Sequence, residues 1–298
     1  MLLDGIKEQK RFTFVNKYII IIGMKYKAIF CDFDGTIYTE DHRISQVNKD
    51  TIAQYVKKGG KFVVSTGRLF SAIYPKLVEM NLDGDVIVYQ GAGVYDIKTK
   101  TQIFGQYFKR EQAVKALEYV ESLGDEYVPI VYIDDICHCR EFNDYVKEFV
   151  TICNIGYKET KIPLSQYVKQ SEHLPVKVLV LMDSKYCDAF SEEGIRRFPD
   201  LAFMRSHSFI VEIMTKGIDK GLAVKWLCDK YGINTEDTIS LGDSENDIAM
   251  IKTAGLGVAM ANAMPKVKEV ADYIADSNDN DGVAKVIQKF CLGDNENE

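Results

Sequence analysis

Ala28-Ile29-Phe30-Cys31-Asp32-Phe33-Asp34-Gly35-Thr36 decides how this chain is read. Four apolar residues of strand length run into two carboxylates at a glycine turn. A strand that is apolar throughout fits a sheet covered on both faces, and the carboxyl edge of such a sheet is where open α/β folds bind ligands. The pattern repeats outward from this stretch. A helix over 45–58, a strand over 61–65, a helix over 69–80 and a strand over 85–89 make a βαβαβ series, which implies parallel strands and crossover helices.

The C-terminal third resumes the same alternation, with a helix over 219–231, a strand over 238–241, a helix over 245–252, a strand over 256–259 and helices near 265–270 and 283–290. Between 97 and 207 the rhythm changes. A hairpin-like 101–108, helices over 111–123, 143–153 and 185–197, and strands over 128–133, 136–140, 176–182 and 201–205 are joined in part by tight turns, which predicts antiparallel pairing. The expected organisation is an α/β protein with a Rossmann-like parallel-sheet core over 24–96 and 208–292. An α+β domain of about 110 residues is inserted into it over 97–207, within the usual size range of domains. Residues 1–23 read as an N-terminal extension, because Met24 stands just before the first strand, and 293–298 as an acidic tail.

Composition narrows the function classes. With 298 residues, 46% of them hydrophobic, 15 Phe, 17 Tyr and only 6 Pro, the chain has ample core material and is not intrinsically disordered. Thirty-seven Lys and Arg against 44 Asp and Glu give a net charge of −7, a field that repels nucleic acid. No apolar run approaches the roughly 18 residues a membrane span needs. The apolar part of the N-terminal stretch, Tyr18 to Ile22, is shorter than the roughly 7–15 residues of a signal peptide. Seven Cys are too dilute for a disulfide scaffold and fit a reducing cytoplasm. Cys137, His138 and Cys139 read as structural strand residues, because no second Cys/His pair follows at metal spacing. Asp134, Asp135 and Arg140 read as solvated residues at a hairpin turn.

A second acidic motif, Leu241-Gly242-Asp243-Ser244-Glu245-Asn246-Asp247, again passes from strand to loop to helix, so Asp32, Asp34, Asp243 and Asp247 are expected to converge. At about 4 Å and an effective dielectric of about 20, each like-charge pair costs about 4 kcal/mol. Such a cluster must take up protons or bind a cation. All-oxygen, carboxylate-rich ligands favour Mg²⁺ over zinc or copper. Two weaker elements flank it, Ser65-Thr66-Gly67-Arg68 at the end of the second strand and Lys216-Gly217-Ile218-Asp219-Lys220-Gly221 at a helix start.

These four motifs, in this order, resemble those of the haloacid-dehalogenase-like (HAD) hydrolases, and of the Cof-type phosphatase branch with a large inserted cap. The likeness extends over residues 25–290. It implies that Asp32 is the nucleophile that takes a phosphoryl group, and that Asp34 protonates the departing oxygen and then deprotonates water. Thr66, Gly67, Lys220 and Asn246 are implied as holders of the phosphoryl group, with Lys216 a rival for the cation. Asp32, the backbone carbonyl of Asp34 and Asp243 are implied as metal ligands, with Asp247 in support behind them.

The implied activity is Mg²⁺-dependent hydrolysis of small phosphomonoesters of the sugar phosphate, pyridoxal phosphate or flavin mononucleotide type. The expected partner is a small phosphorylated metabolite. A phosphohexomutase shares the motifs, and a non-catalytic phosphate sensor is the alternative from another class. Asp34 and the cap argue against the sensor, which needs neither an acid for an alcohol leaving group nor an inserted domain. Two positions depart from the branch pattern: Gln90 stands where Asn is common, and Asp219 where Ser is, the latter able to cap its helix equally well.

Overall fold

The computed structural model of the chain describes residues 24–293. The expected extension over 1–23 and the tail beyond Gly293 lie outside the described residues. The strands, in chain order, are β1 Ala28–Asp32, β2 Lys61–Ser65, β3 Asp85–Val88, β4 Gly93–Asp96, β5 Thr101–Gly105, β6 Val128–Ile133, β7 Ile136–Cys139, β8 Tyr157–Glu159, β9 Lys177–Leu181, β10 Leu201–His207, β11 Ile210–Thr215, β12 Thr238–Gly242, β13 Leu256–Ala259 and β14 Tyr273–Ile274. The helices are α1 Gln46–Lys57, α2 Phe70–Glu79, α3 Arg110–Ser122, α4 Asp144–Cys153, α5 Leu164–Gln170, α6 Ser184–Arg197, α7 Lys220–Tyr231, α8 Ile248–Thr253, α9 Pro265–Val270 and α10 Gly282–Ile287.

The strands form two sheets, an eight-stranded one in the order β14-β13-β12-β1-β2-β3-β4-β5 and a six-stranded one in the order β10-β11-β9-β6-β7-β8. In the larger sheet β1 lies between β2 and β12, parallel to both, and all five of its residues are buried. Alternate residues serve opposite faces. Ala28 and Phe30 pack with Ala223, Val224 and Leu227 of α7, whereas Ile29 and Cys31 join Ile52 and Tyr55 of α1 and Ile287 of α10. Helices on both faces explain why β1 tolerates no polar residue before Asp32.

Both boundaries of the inserted domain differ from the expected 97 and 207. β5 pairs antiparallel with β4 at the edge of the larger sheet, and β11 pairs antiparallel with β9 and β10 in the smaller one. The chain therefore crosses between the sheets after Gly105 and again after Thr215. The physical reason is that a hairpin strand satisfies its ladder equally well on either sheet, so β5 carries no local mark of which sheet it extends. The turn of α8 is also shorter than expected, because Glu245–Asp247 winds as a 3₁₀ turn before the α-helix begins.

The smaller sheet packs α3, α5 and α6 on one face through Val131, Val178, Val180 and Ile213. Its other face, with Ile130, Tyr132, Leu179 and Met214, merges into the apolar cluster that includes Phe70, Tyr89 and Tyr95 of the larger sheet. The Tyr132 ring meets Tyr89 edge-on at 6.4 Å between centroids. The inserted domain thus lies as a cap against the carboxyl edge of the parallel strands. Among the described residues no helix is long and apolar enough to cross a membrane.

Candidate active site

Asp32 is the last residue of β1 and Asp243 follows the last residue of β12, its parallel neighbour. Adjacent parallel strands end side by side, so residues far apart in sequence meet there. Oxygens of Asp32, Asp243 and Asp247 lie within 4.8 Å of one another, the one such acidic group found among the described residues. Lys220, entirely buried at the first position of α7, donates to Oδ1 of Asp32 at 2.5 Å and to Oδ1 of Asp247 at 2.6 Å.

Two local devices bring Lys220 there. Asp219 caps α7 by accepting from the Leu222 amide at 2.9 Å. Gly91 adopts φ +95°, and a Cβ on it would stand 2.1 Å from the Asp219 carbonyl oxygen, so only glycine lets the helix start approach this closely. The rival Lys216 is exposed and reaches toward the Pro199 carbonyl instead, at 3.5 Å.

The charges govern one another. Burial raises the Asp32 pKa well above the usual aspartate range, and Asp247 and Asp243 push the same way against the opposing pull of Lys220. Burial lowers the affinity of Lys220 for its proton, but Asp247 and Asp32 outweigh it, and the ammonium is held more firmly than in water. Burial and then the charge of Asp247 raise Asp243, while hydrogen bonds from Ser244 and Thr36 oppose them. Those bonds are 3.1 Å each, Thr36 donating to Oδ1 and Ser244 to Oδ2 of Asp243. Asp247 uses Oδ2 to accept from the amides of Asp243 and Ser244, both at 3.0 Å, while its Oδ1 serves Lys220. With both oxygens engaged, Asp247 orients the site from behind.

The donor set fits a hard divalent cation: all-oxygen, carboxylate-rich, with one buried ammonium offsetting part of the charge. Asp32 and Asp243 would hold it. The expected convergence of four carboxylates is corrected to three, since Asp34 does not join the group. Gly35, at φ +77°, turns the chain, and Arg68 grips the Asp34 carboxylate with two prongs, Nε to Oδ2 at 2.8 Å and Nη2 to Oδ1 at 2.5 Å. The Asp34 side chain is 51% exposed, while that of Asp32 is 8% exposed.

Thr66 is buried beside these groups, and its Oγ1 accepts from the Arg68 amide at 3.2 Å, closing a tight turn around Gly67. Asn246 donates through Nδ2 to Oε1 of Gln90 at 3.0 Å. The Gln90 side chain also lies against Gly67, where a Cβ would meet its Nε2 at 2.5 Å. The position where the sequence departs from the common pattern thus bridges Asn246 and the turn after β2.

Several residues that belong here carry little mark in the sequence. Asp135, expected to be solvated, accepts from the amides of Phe70 and Ser71, both at 2.7 Å, and from the Tyr89 hydroxyl at 2.6 Å, so the cap hairpin caps helix α2 of the core. Lys177 and Glu212 form a buried ion pair of 2.7 Å on the cap face toward the core. Their only mark in sequence is a charge inside apolar runs, Val176-Lys177-Val178-Leu179 and Ile210-Val211-Glu212-Ile213. Cys137 and Cys139 are buried on one face of β7, while His138, pointing to the other, lies against the Tyr167 ring at 5.3 Å. Strand alternation separates the three, which excludes a shared metal. All seven cysteines are free thiols.

A profile of the haloacid dehalogenase-like hydrolase family matches residues 29–287. The Bacillus subtilis 5-amino-6-(5-phospho-D-ribitylamino)uracil phosphatase YcsE is 28% identical over 266 residues, 89% of this chain and 96% of that protein. The crystal structure of TM0651 from Thermotoga maritima superposes with a TM-score of 0.79 at 28% identity, covering 90% of this chain and 100% of that one. The subclass IIB sugar phosphatase BT4131 superposes with a TM-score of 0.75 at 25% identity, covering 89% and 98%. Three strand-end motifs and a helix-start lysine around one buried acidic cluster, under a cap of this topology, and a family match over nearly the whole described chain lead to one conclusion: the protein belongs to the haloacid dehalogenase-like hydrolases, in the Cof-type branch, and is a phosphatase.

Proposed function

We propose that the protein is a Mg²⁺-dependent hydrolase of small phosphomonoesters that works through an aspartyl-phosphate on Asp32. The observation that carries this is the division of labour between two carboxylates two residues apart. Asp32 is buried among Asp243, Asp247 and Lys220, and Asp34 is turned out of that cluster and held by Arg68.

In this reading an Asp32 oxygen attacks phosphorus while Lys220, the Thr66 hydroxyl, the turn at Gly67 and the Asn246 amide hold the phosphoryl oxygens. Asp34 gives a proton to the departing alcohol and then takes one from the attacking water, help of a kind worth about 10²–10⁴-fold. Mg²⁺, when bound by Asp32 and Asp243, supplies charge that neutralises the phosphate and keeps Asp32 ionised. The cap covers this edge and restricts entry to small esters. Relatives that dephosphorylate a ribityl ester and sugar phosphates support a hydroxylated metabolite as substrate. Seven free thiols support a reducing cytoplasm as the setting.

The test is phosphate release from p-nitrophenyl phosphate and a panel of phosphorylated metabolites, with and without Mg²⁺, for the wild type and Asp32→Asn. Metal-dependent turnover lost in Asp32→Asn is expected. Stoichiometric phosphorylation without turnover would replace this reading with the phosphate sensor.

A further inference from the structure

Lys177 and Glu212 are the only charged cap residues that are buried among the described residues. They meet diagonally across β9 and β11, where Glu212 is in register with Leu179, and their side chains are 2% and 7% exposed. An ion pair taken out of water is seldom a net source of stability, because the desolvation of both charges offsets their attraction; an apolar pair of the same volume does as well or better. Their position, by contrast, is specific. The Lys177 ammonium lies 5.8 Å from the Tyr132 ring centroid and donates across the domain boundary to the carbonyl of Gly67 at 3.3 Å.

Gly67 is the centre of the turn that carries the reaction's positioning groups. Its carbonyl belongs to the peptide whose N–H is that of Arg68, and this N–H donates to the Thr66 hydroxyl at 3.2 Å. The guanidinium of the same Arg68 holds both oxygens of Asp34. A hydrogen bond from Lys177 to the Gly67 carbonyl therefore fixes one peptide plane, with the Thr66 hydroxyl on one side of it and the arginine that aims Asp34 on the other. Glu212 holds the ammonium in place from within the cap.

We propose that Lys177, braced by Glu212, is a positioning residue that couples the seating of the cap to the aim of the acid–base carboxylate, through Gly67 and Arg68 to Asp34. The coupling rests on the reading of Asp34 as general acid. When the cap lifts, the Gly67 peptide loses its anchor and Asp34 loses its fixed orientation, so aimed proton transfer is confined to the cap-seated state.

The dependence on leaving group separates this role from a merely structural one. A p-nitrophenolate departs without protonation, whereas an alkoxide does not, so misaiming Asp34 slows phosphorylation of Asp32 by alkyl esters and spares phosphorylation by p-nitrophenyl phosphate, while the later hydrolysis, which uses Asp34 as base, is common to both. The variants are Lys177→Met with Glu212→Leu, an apolar pair, and Lys177→Gln with Glu212→Gln, a neutral pair too short to reach Gly67. The second stands in if the first does not fold. For the alkyl phosphomonoester that the wild type turns over fastest in a metabolite panel, kcat is expected to fall about ten- to hundredfold, part of the range for acid catalysis. The rate of the first-turnover burst of p-nitrophenolate from p-nitrophenyl phosphate is expected to change less than about threefold. Amide hydrogen exchange across residues 66–69 is expected to quicken in the same variants. A p-nitrophenolate burst slowed as much as alkyl-ester turnover, or no loss of alkyl-ester turnover, would overturn the coupling. If the wild type hydrolyses no ester, the function proposed above fails, and exchange alone decides the coupling: unchanged rates over 66–69 refute it.

Discussion

The ammonium of Lys220 sits between two carboxylates, 2.5 Å from Oδ1 of Asp32 and 2.6 Å from Oδ1 of Asp247, with none of its side chain exposed. Lys220→Met leaves two buried acids facing each other, and breaking a buried pair in this way costs about 3–5 kcal/mol. Asp32, its pKa already raised by burial, then holds its proton more strongly and is a poorer nucleophile. We expect a large drop in the urea midpoint, together with loss of phosphate release at any metal concentration. Near-wild-type stability would contradict the buried geometry.

Gly91→Ala places a methyl against the Asp219 carbonyl, a backbone atom that cannot step aside, at a φ of +95°. The start of α7 must then move, and Lys220 with it. Destabilisation by more than about 2 kcal/mol is expected, in the range of strain and overpacking effects, with activity falling in parallel. Chemical denaturation of purified protein checks both.

Asp243 sets a pH dependence whose sign can be worked out. Burial and Asp247 raise its pKa in the folded, metal-free protein. In the unfolded chain an aspartate titrates near about 3.9. The folded state therefore binds the extra proton, so this group's favourable contribution is complete below the unfolded value and is lost as pH rises through the folded one. Asp243→Asn cannot ionise. Its melting temperature in chelator should gain on the wild type as pH rises from 4 through the folded value of Asp243 and then level off, and added Mg²⁺ should reverse the order at pH 8. A difference that stays flat with pH would refute this.

Arg68→Ala separates stability from catalysis. The Arg68–Asp34 pair is partly solvated, with side chains 32% and 51% exposed, and pairs of this kind contribute about 1 kcal/mol or less. The thermal midpoint should barely move, while kcat for alkyl esters falls at least tenfold, within the range of general acid help.

Asp135→Ala removes three acceptor contacts from the cap hairpin to the core. Loss of a helix cap costs about 1 kcal/mol. The larger expected effect is on cap seating: limited proteolysis should cut faster at the two crossings, after Gly105 and after Thr215, with the cap and core fragments otherwise intact.

The core was legible because its signals are local. An apolar run into Asp32-Phe33-Asp34-Gly35, repeated at Leu241-Gly242-Asp243, reports a buried parallel strand and a carboxylate at its end within a few residues. Asp219 as a helix cap is local in the same way. β5 reads as part of the inserted domain because a hairpin strand's own residues do not name its neighbour, and β11 is not legible because Glu212 interrupts its apolar run. The role of Arg68 is not legible in its motif, since its partner Asp34 is chosen by the bend at Gly35 and not by spacing. Asp135 looked like a turn residue and is one; what it caps lies 65 positions earlier, on α2.

Sequence alone determined the parallel core, the inserted cap and which acidic residues stand at strand ends, because strand burial and turn chemistry are written in runs of a few neighbours. Only tertiary structure decided that three carboxylates share the cluster and a fourth is drawn off by Arg68, and that Lys177 of the cap touches Gly67 of the core. Those outcomes depend on distances between chain segments from 34 to more than two hundred residues apart, and side chains compete for partners only once the sheet edge and the cap have brought them within reach of one another.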